Sequence, residues 1–359
     1  MFHKIQIIKK QIIYIILILS IIVLNLSVVK KTNASNYNIE NIIISENFSK
    51  NFKKEEVFDK AFEAAFDQLI LTLLNSSDKK KIQNMSLYTI KRLIDSFVIK
   101  NESFVNNNYS ANFTVNFNKV NTLNYFEKNN IFPSIPKKID LLFIPVLIDK
   151  NKSGIEFFNN NQIYKNWNNR INNHNLINYI LPTDEIEDRG IIIKNFSNIE
   201  SFNFKEIINK YNISNNIILI INESNQKIQI LSKININNNF EIVNFTFENL
   251  DLNNKNDLNK IIDNLKIKFE DIWKSYNIIN TSIKLPLSIS IDSKEYQRIK
   301  TFEKFLDSFD LVSSSKISMF DNKYISYKLI FNGSPKTFFD EANKYGFFFI
   351  KENQNWIIK

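Results

Sequence analysis

Ile139-Asp140-Leu141-Leu142-Phe143-Ile144-Pro145-Val146-Leu147-Ile148 is a ten-residue apolar run with a single charged residue near its start. A strand with one wet face alternates apolar and polar side chains. A run without alternation reads as a central strand buried on both faces, as in a sheet covered by helices on each side. The segments after it fit that reading. A helix is expected near Ile163–Leu176, a strand ending at Leu181 and a helix near Phe204–Tyr211. Strands follow at Asn216–Ile221, Lys227–Ile236 and Glu241–Phe247. A long amphipathic helix closes the series, with Leu258, Ile261, Ile262, Leu265, Phe269, Ile272, Trp273 and Tyr276 on one face. Residues 138–280 therefore read as an α/β sandwich.

Upstream, Pro133 and Pro136 in Phe132–Lys138 forbid regular structure and mark a linker. Residues 35–131 before it read as an α+β domain of order βααββα. Its first helix, Phe52–Leu74, carries Phe58, Phe62, Ala65, Leu69 and Leu73 on one stripe, and a second carries Ile82 to Phe97. A hairpin follows, Phe97–Val105 and Tyr109–Phe117, around Asn106-Asn107-Asn108, because asparagine tolerates the left-handed conformations of a turn. Lys119–Asn129 closes the domain as a helix. Downstream, residues 285–359 give βαββαβ, a ferredoxin-like order, from Leu287–Ile291 through the helix of Ile299–Phe309 to Trp356–Ile358.

The first 34 residues have a different character. Lys4, Lys9 and Lys10 precede an almost wholly apolar stretch, Ile12–Val29, and Thr32-Asn33-Ala34 offers small residues ahead of a cleavage between Ala34 and Ser35. The alternative is a retained anchor: Ile12–Val29 approaches the roughly 20 residues of a spanning helix, and Lys30 and Lys31 resist translocation. Either reading sends residues 35 onward through the inner membrane into the periplasm. There is no cysteine, which removes disulfides, thiolate metal sites and a lipid anchor on cysteine.

The formal charge of +9 is no argument for nucleic acid. Without the five lysines of residues 1–34, the chain has 41 basic against 37 acidic residues. The four glycines, Gly154, Gly190, Gly333 and Gly346, are isolated, so no phosphate-cradling loop can be written and no nucleotide cofactor is expected. His3 lies in the leader and His174 stands alone, so triad catalysis would rest on His174 alone. Zinc lacks ligands. Asp184, Glu185, Glu187 and Asp188 form the densest acidic cluster, whose oxygens would suit a hard cation. It lacks EF-hand spacing, Arg189 adjoins it, and the simpler reading is a helix start capped by Asp184. No catalytic, cofactor or metal residue is assigned beyond this loop. Phe347-Phe348-Phe349 reads as core and not as an RNA-stacking strand.

Phe58–Phe66 with the Phe97–Phe117 hairpin, the strand Leu142-Phe143-Ile144-Pro145-Val146 and the acidic Leu181–Asp188 segment resemble the exported proteobacterial proteins of domain-of-unknown-function family 2066. The C-terminal Gly-Ser-Pro turn, helix and Trp-containing strand fit that resemblance, and Gln162–Arg170 departs from it. The resemblance implies export and carries no established activity. The expectation is a non-catalytic envelope protein acting on protein or cell-wall partners, with edge strands able to accept a partner strand. The alternative is a carboxylate- or metal-dependent hydrolase of envelope polymers using residues 184–188.

Overall fold

A computed structural model describes residues 37–149, 154–156, 158–169, 174–224, 227–353 and 355–359. The leader or anchor of residues 1–34, its apolar stretch 12–29 and the Ala34–Ser35 cleavage point lie outside the described residues. Among the described residues, no helix is long and apolar enough to cross a membrane.

The N-terminal part contains β1 (Asn38–Asn47), α1 (Lys54–Leu73), α2 (Ser76–Lys81), α3 (Leu87–Leu93), β2 (Ile94–Val105), β3 (Asn108–Phe117) and α4 (Lys119–Lys128). β3 lies between β1 and β2, antiparallel to both. Tyr109, Ala111, Phe113, Val115 and Phe117 alternate into the core beneath Phe62, Ala65, Phe66 and Leu69 of α1. The hairpin turn is Asn106-Asn107, with φ of 51° and 57°, the paired left-handed geometry that matches strand twist. The expected second helix is two short ones. Asn75 caps α2 by accepting from the Asp78 amide, Ser86 caps α3 by accepting from Thr89, and the strand begins already at Ile94.

The central part contains β4 (Ile139–Asp149), β5 (Gly154–Glu156), α5 (Gln162–Asn166), β6 (Ile177–Ile180), α6 (Ile186–Lys194), α7 (Lys205–Asn209), β7 (Asn216–Ser224), β8 (Lys227–Ile236), β9 (Asn239–Glu248) and α8 (Lys255–Ser275). The sheet runs β5-β4-β7-β8-β9, and β6 also pairs with β4. β4 is parallel to β6 and β7, while β7, β8 and β9 form an antiparallel meander. The apolar run of β4 supplies two cores at once. Leu141, Phe143 and Leu147 face α5 and α8, and Leu142, Ile144, Val146 and Ile148 face α6 and α7. The helix expected over 163–176 is shorter: α5 ends at Asn166, and the described residues 167–169 and 174–176 are turn or irregular. The short strand β5 and the helix α6 are additions to the expected order.

The C-terminal part contains β10 (Leu285–Asp292), α9 (Tyr296–Ser308), β11 (Val312–Phe320), β12 (Tyr324–Phe331), α10 (Pro335–Lys344), β13 (Phe349–Glu352) and β14 (Asn355–Ile358). Its sheet order is β11-β12-β10-β14-β13. The first three strands sit as in a ferredoxin-like sheet, but the end is a hairpin, giving βαββαββ. Asn353, at φ 54°, reverses the chain, so β14 pairs in parallel with β10 and β13 becomes the edge. The mixed α and β class with several cores is the one the sequence implied.

Residues 36–359 form one compact unit. The proline segment is a hydrogen-bonded strap: Ser134 is buried, and its amide and hydroxyl both donate to Leu73 O at the end of α1. Ile279 N donates to Pro133 O, Ile135 N to Asn277 O and Trp273 Nε1 to Lys137 O. The C-terminal part is tied on by Asn332 Nδ2 to Ile283 O at 2.7 Å and by Lys284 with Glu127 at 2.8 Å.

Candidate functional surfaces

The acidic segment precedes and opens α6. Asp184 does not cap this helix. Glu185 occupies the cap position and makes no side-chain cap bond. Asp184 instead accepts from Arg189 Nε at 2.6 Å and Nη2 at 2.5 Å, a forked ion pair that holds its carboxyl below the usual range. The other three carboxylates converge on one ammonium. Lys210 Nζ lies 2.7 Å from Asp188 Oδ1, 3.2 Å from Glu185 Oε2 and 3.3 Å from Glu187 Oε2.

Asp188 is fully buried, and its Oδ2 has no hydrogen-bond partner among the described residues. The Thr183 hydroxyl and then Lys210 hold Glu185 low, and Lys210, held chiefly by Asp188, is raised above the ordinary lysine range. The cluster thus gathers its carboxylates around a cation that belongs to the chain. Among the described residues, no group of three or more His, Asp or Glu is placed to hold a metal ion. Arg189 is legible as the neighbour of the acids, whereas Lys210 is not: it lies 22 residues from Asp188 and is brought there by α7.

His174 lines a cleft of about 570 Å³ between α1–α2 and α8, together with Lys79, Glu270, Asp271 and Lys274. Burial, then Lys274 and Lys79, push the imidazole below its ordinary pKa, favouring the neutral ring. A serine triad would need a hydroxyl on that imidazole. The cleft's serine, Ser76, donates instead to Asp271 Oδ2 at 2.5 Å. Glu270 Oε1 accepts from the amides of Leu176 and Ile177, both at 3.0 Å, while burial raises its carboxyl and Oε2 is unpartnered among the described residues. Lys274 donates to Leu71 O and to Leu74 O at 3.0 Å. Asp271 and Lys274 thus join α8 to the end of α1 and the start of α2.

Open sheet edges lie elsewhere. β2 ends the N-terminal sheet and β11 ends the C-terminal one. β2 has twelve residues, with Phe97, Val98, Phe104 and Val105 exposed, the last two at 57% and 60%. Phe97 and Phe104 point to the helix side, against Phe62 and Tyr109 respectively, and Val98 lies on the opposite side. Ile317, Met319 and Phe320 are exposed on β11. The comparisons with family models and with curated proteins find no match for this chain.

Proposed function

We propose that this chain is an exported protein of the bacterial envelope, akin to the family 2066 proteins, that binds an extended segment of a partner protein along β2 and performs no chemistry itself. The observation that carries the reading is the long open edge of β2. Edge strands are normally shielded by shortness, proline or a covering element, because their free N–H and C=O groups template pairing with another chain. β2 is long and proline-free. Irregularities between Ile94 and Ser96 and between Lys100 and Ser103 leave two regular stretches, 96–100 and 103–105, each with a half-covered phenylalanine on its helix side. A strand added there would gain backbone hydrogen bonds and cover Phe97 and Phe104 with its own alternate side chains.

The location rests on the basic residues ahead of the apolar stretch 12–29 and on the small residues ending at Ala34. The cell-wall or protein partner would be met in the periplasm, with the inner membrane crossed in export or retained as an anchor.

The test is site-specific photocross-linking in cells, with the probe at Val98 or Val105 and a control probe at exposed Ile267 of α8. Adducts at the β2 positions that disappear when Phe104→Lys is added support the reading. Adducts indifferent to Phe104→Lys, or equal at the control site, overturn it. The compartment is read from the mass of the mature chain and its fractionation. A full-length molecule free among cytoplasmic proteins would sink the export reading.

A further inference from the structure

A second surface, separate from β2, has the chemistry of a sugar site. α6 and α7 share a core with β4 and β7, and the same face of the sheet continues over β8, where Lys233 is buried, to an exposed face on β9. There Phe240 and Ile242 are 63% and 57% exposed. Between α7 and these strands runs a groove of about 850 Å³, within the size range of small-molecule sites. Six of its lining residues are asparagines and two are serines, its apolar patches are isoleucines and Phe240, and no carboxylate lines it among the described residues.

Among the described residues, the amides of Asn209, Asn212 and Asn238 make no side-chain hydrogen bond to the protein, so each keeps its carbonyl acceptor and both donors available. Of the two lysines, buried Lys233 is engaged by Phe202 O at 2.9 Å, and Lys205 stands at the rim.

One residue behind the groove is held in a costly conformation. Phe204 sits at φ 52°, a region that bulky residues rarely enter, with its ring fully buried. Its two neighbours, Asn203 and Lys205, both line the groove. Asn212 and Asn238, at φ 52° and 63°, line the groove in the left-handed region that asparagine tolerates at turns.

We infer that this groove binds a neutral oligosaccharide. A pyranose ring offers hydroxyls that both donate and accept, which amide side chains match in both directions. It also offers an apolar C–H face, which an exposed aromatic ring accommodates. A phosphate-bearing ligand would require a convergent basic cluster in place of the amides, and a cationic one would require carboxylates. This site is separate from β2 and does not depend on it.

The test is calorimetric titration of residues 35–359 with two probes, chitotetraose and maltotetraose. The expected result is binding of at least one, weakened about tenfold or more by Phe240→Ala and severalfold by Asn212→Ala or Asn238→Ala, but unchanged by Phe104→Ala on β2. Phe240 is exposed, so its variant should keep the parent's thermal transition, which is measured alongside. Absence of binding for both probes at millimolar concentration overturns the inference. So does binding that Phe240→Ala and Asn238→Ala leave untouched.

Discussion

Replacing Lys274 by methionine should loosen the end of a helix that lies 200 residues earlier in the sequence. α1 has no basic residue in its last turn, and its terminal carbonyls have no donors within the helix. They are satisfied from outside. Lys274 Nζ, buried in the last turn of α8, donates to Leu71 O and Leu74 O, and Ser134 donates twice to Leu73 O. An ammonium at this end also complements the helix dipole. Methionine matches the volume, so no cavity opens. Two hydrogen bonds from a charged donor are lost, each worth about 1.5–3 kcal/mol. Against this stands the relief of a desolvated ammonium, whose pKa burial already holds below the ordinary lysine value. The net loss is about 2–4 kcal/mol, felt at the seam and not evenly through the chain. Because a chain of several cores need not unfold in one step, the fitting assay is hydrogen exchange under native conditions. The amides of Leu74 and Ser134, bonded to Ile70 O and Leu73 O, should exchange roughly 30- to 1000-fold faster in Lys274→Met. Amides of the β10–β12 ladder should be unaffected. An acceleration under about threefold at both sites would mean that Lys274 is incidental to the seam.

Glu270→Gln should change the pH dependence of stability with a defined sign. Burial raises the Glu270 carboxyl, so the folded chain binds its proton more tightly than the unfolded one. The resulting stabilisation is complete below the ordinary carboxylate range and is lost as pH rises through the folded value. Glutamine keeps the Oε1 acceptor and cannot ionise. Its Tm should therefore gain on the parent as pH rises above the ordinary carboxylate range, and a flat or falling difference refutes the assignment. Lys210→Met strands the buried Asp188 carboxylate and should lower stability. Thermal unfolding checks this, and adding Asp188→Asn should recover part of the loss. A thermal transition unchanged in Lys210→Met would show that the cluster carries no structural weight.

Elements set by local chemistry are legible in the sequence alone. β4 declares itself by lacking alternation, and β3 by having it. The Asn106-Asn107 turn shows because a chain with four glycines must find its left-handed residues elsewhere. Ten of the twelve non-glycine residues with positive φ among the described residues are asparagines. What is not legible depends on partners distant in sequence. The residues of β13 and β14 suit one interrupted strand or a hairpin equally, and only pairing with β10 decides between them. Lys274 follows Trp273 in an amphipathic helix and reads as a residue of its wet face. It is buried because α1 ends against it.

The same division governs the sites. The sequence displays charge conspicuously, so the acidic segment and the lone histidine attract the functional readings. In the folded chain those charges are taken up internally: Asp184 by Arg189, the other three acids by Lys210, and Asp271 by Ser76. Asp188 is fully buried, where an ion is tolerated only when paired, and the pairs of its more exposed neighbours gather around it. Surfaces left available to another molecule are those whose groups have no internal partner. The two surfaces proposed for binding, the outer backbone of β2 and the amides around Phe240, carry no motif that marks them in the sequence. Binding at those two surfaces would rest instead on backbone pairing and amide chemistry, which a neutral strand or sugar can match.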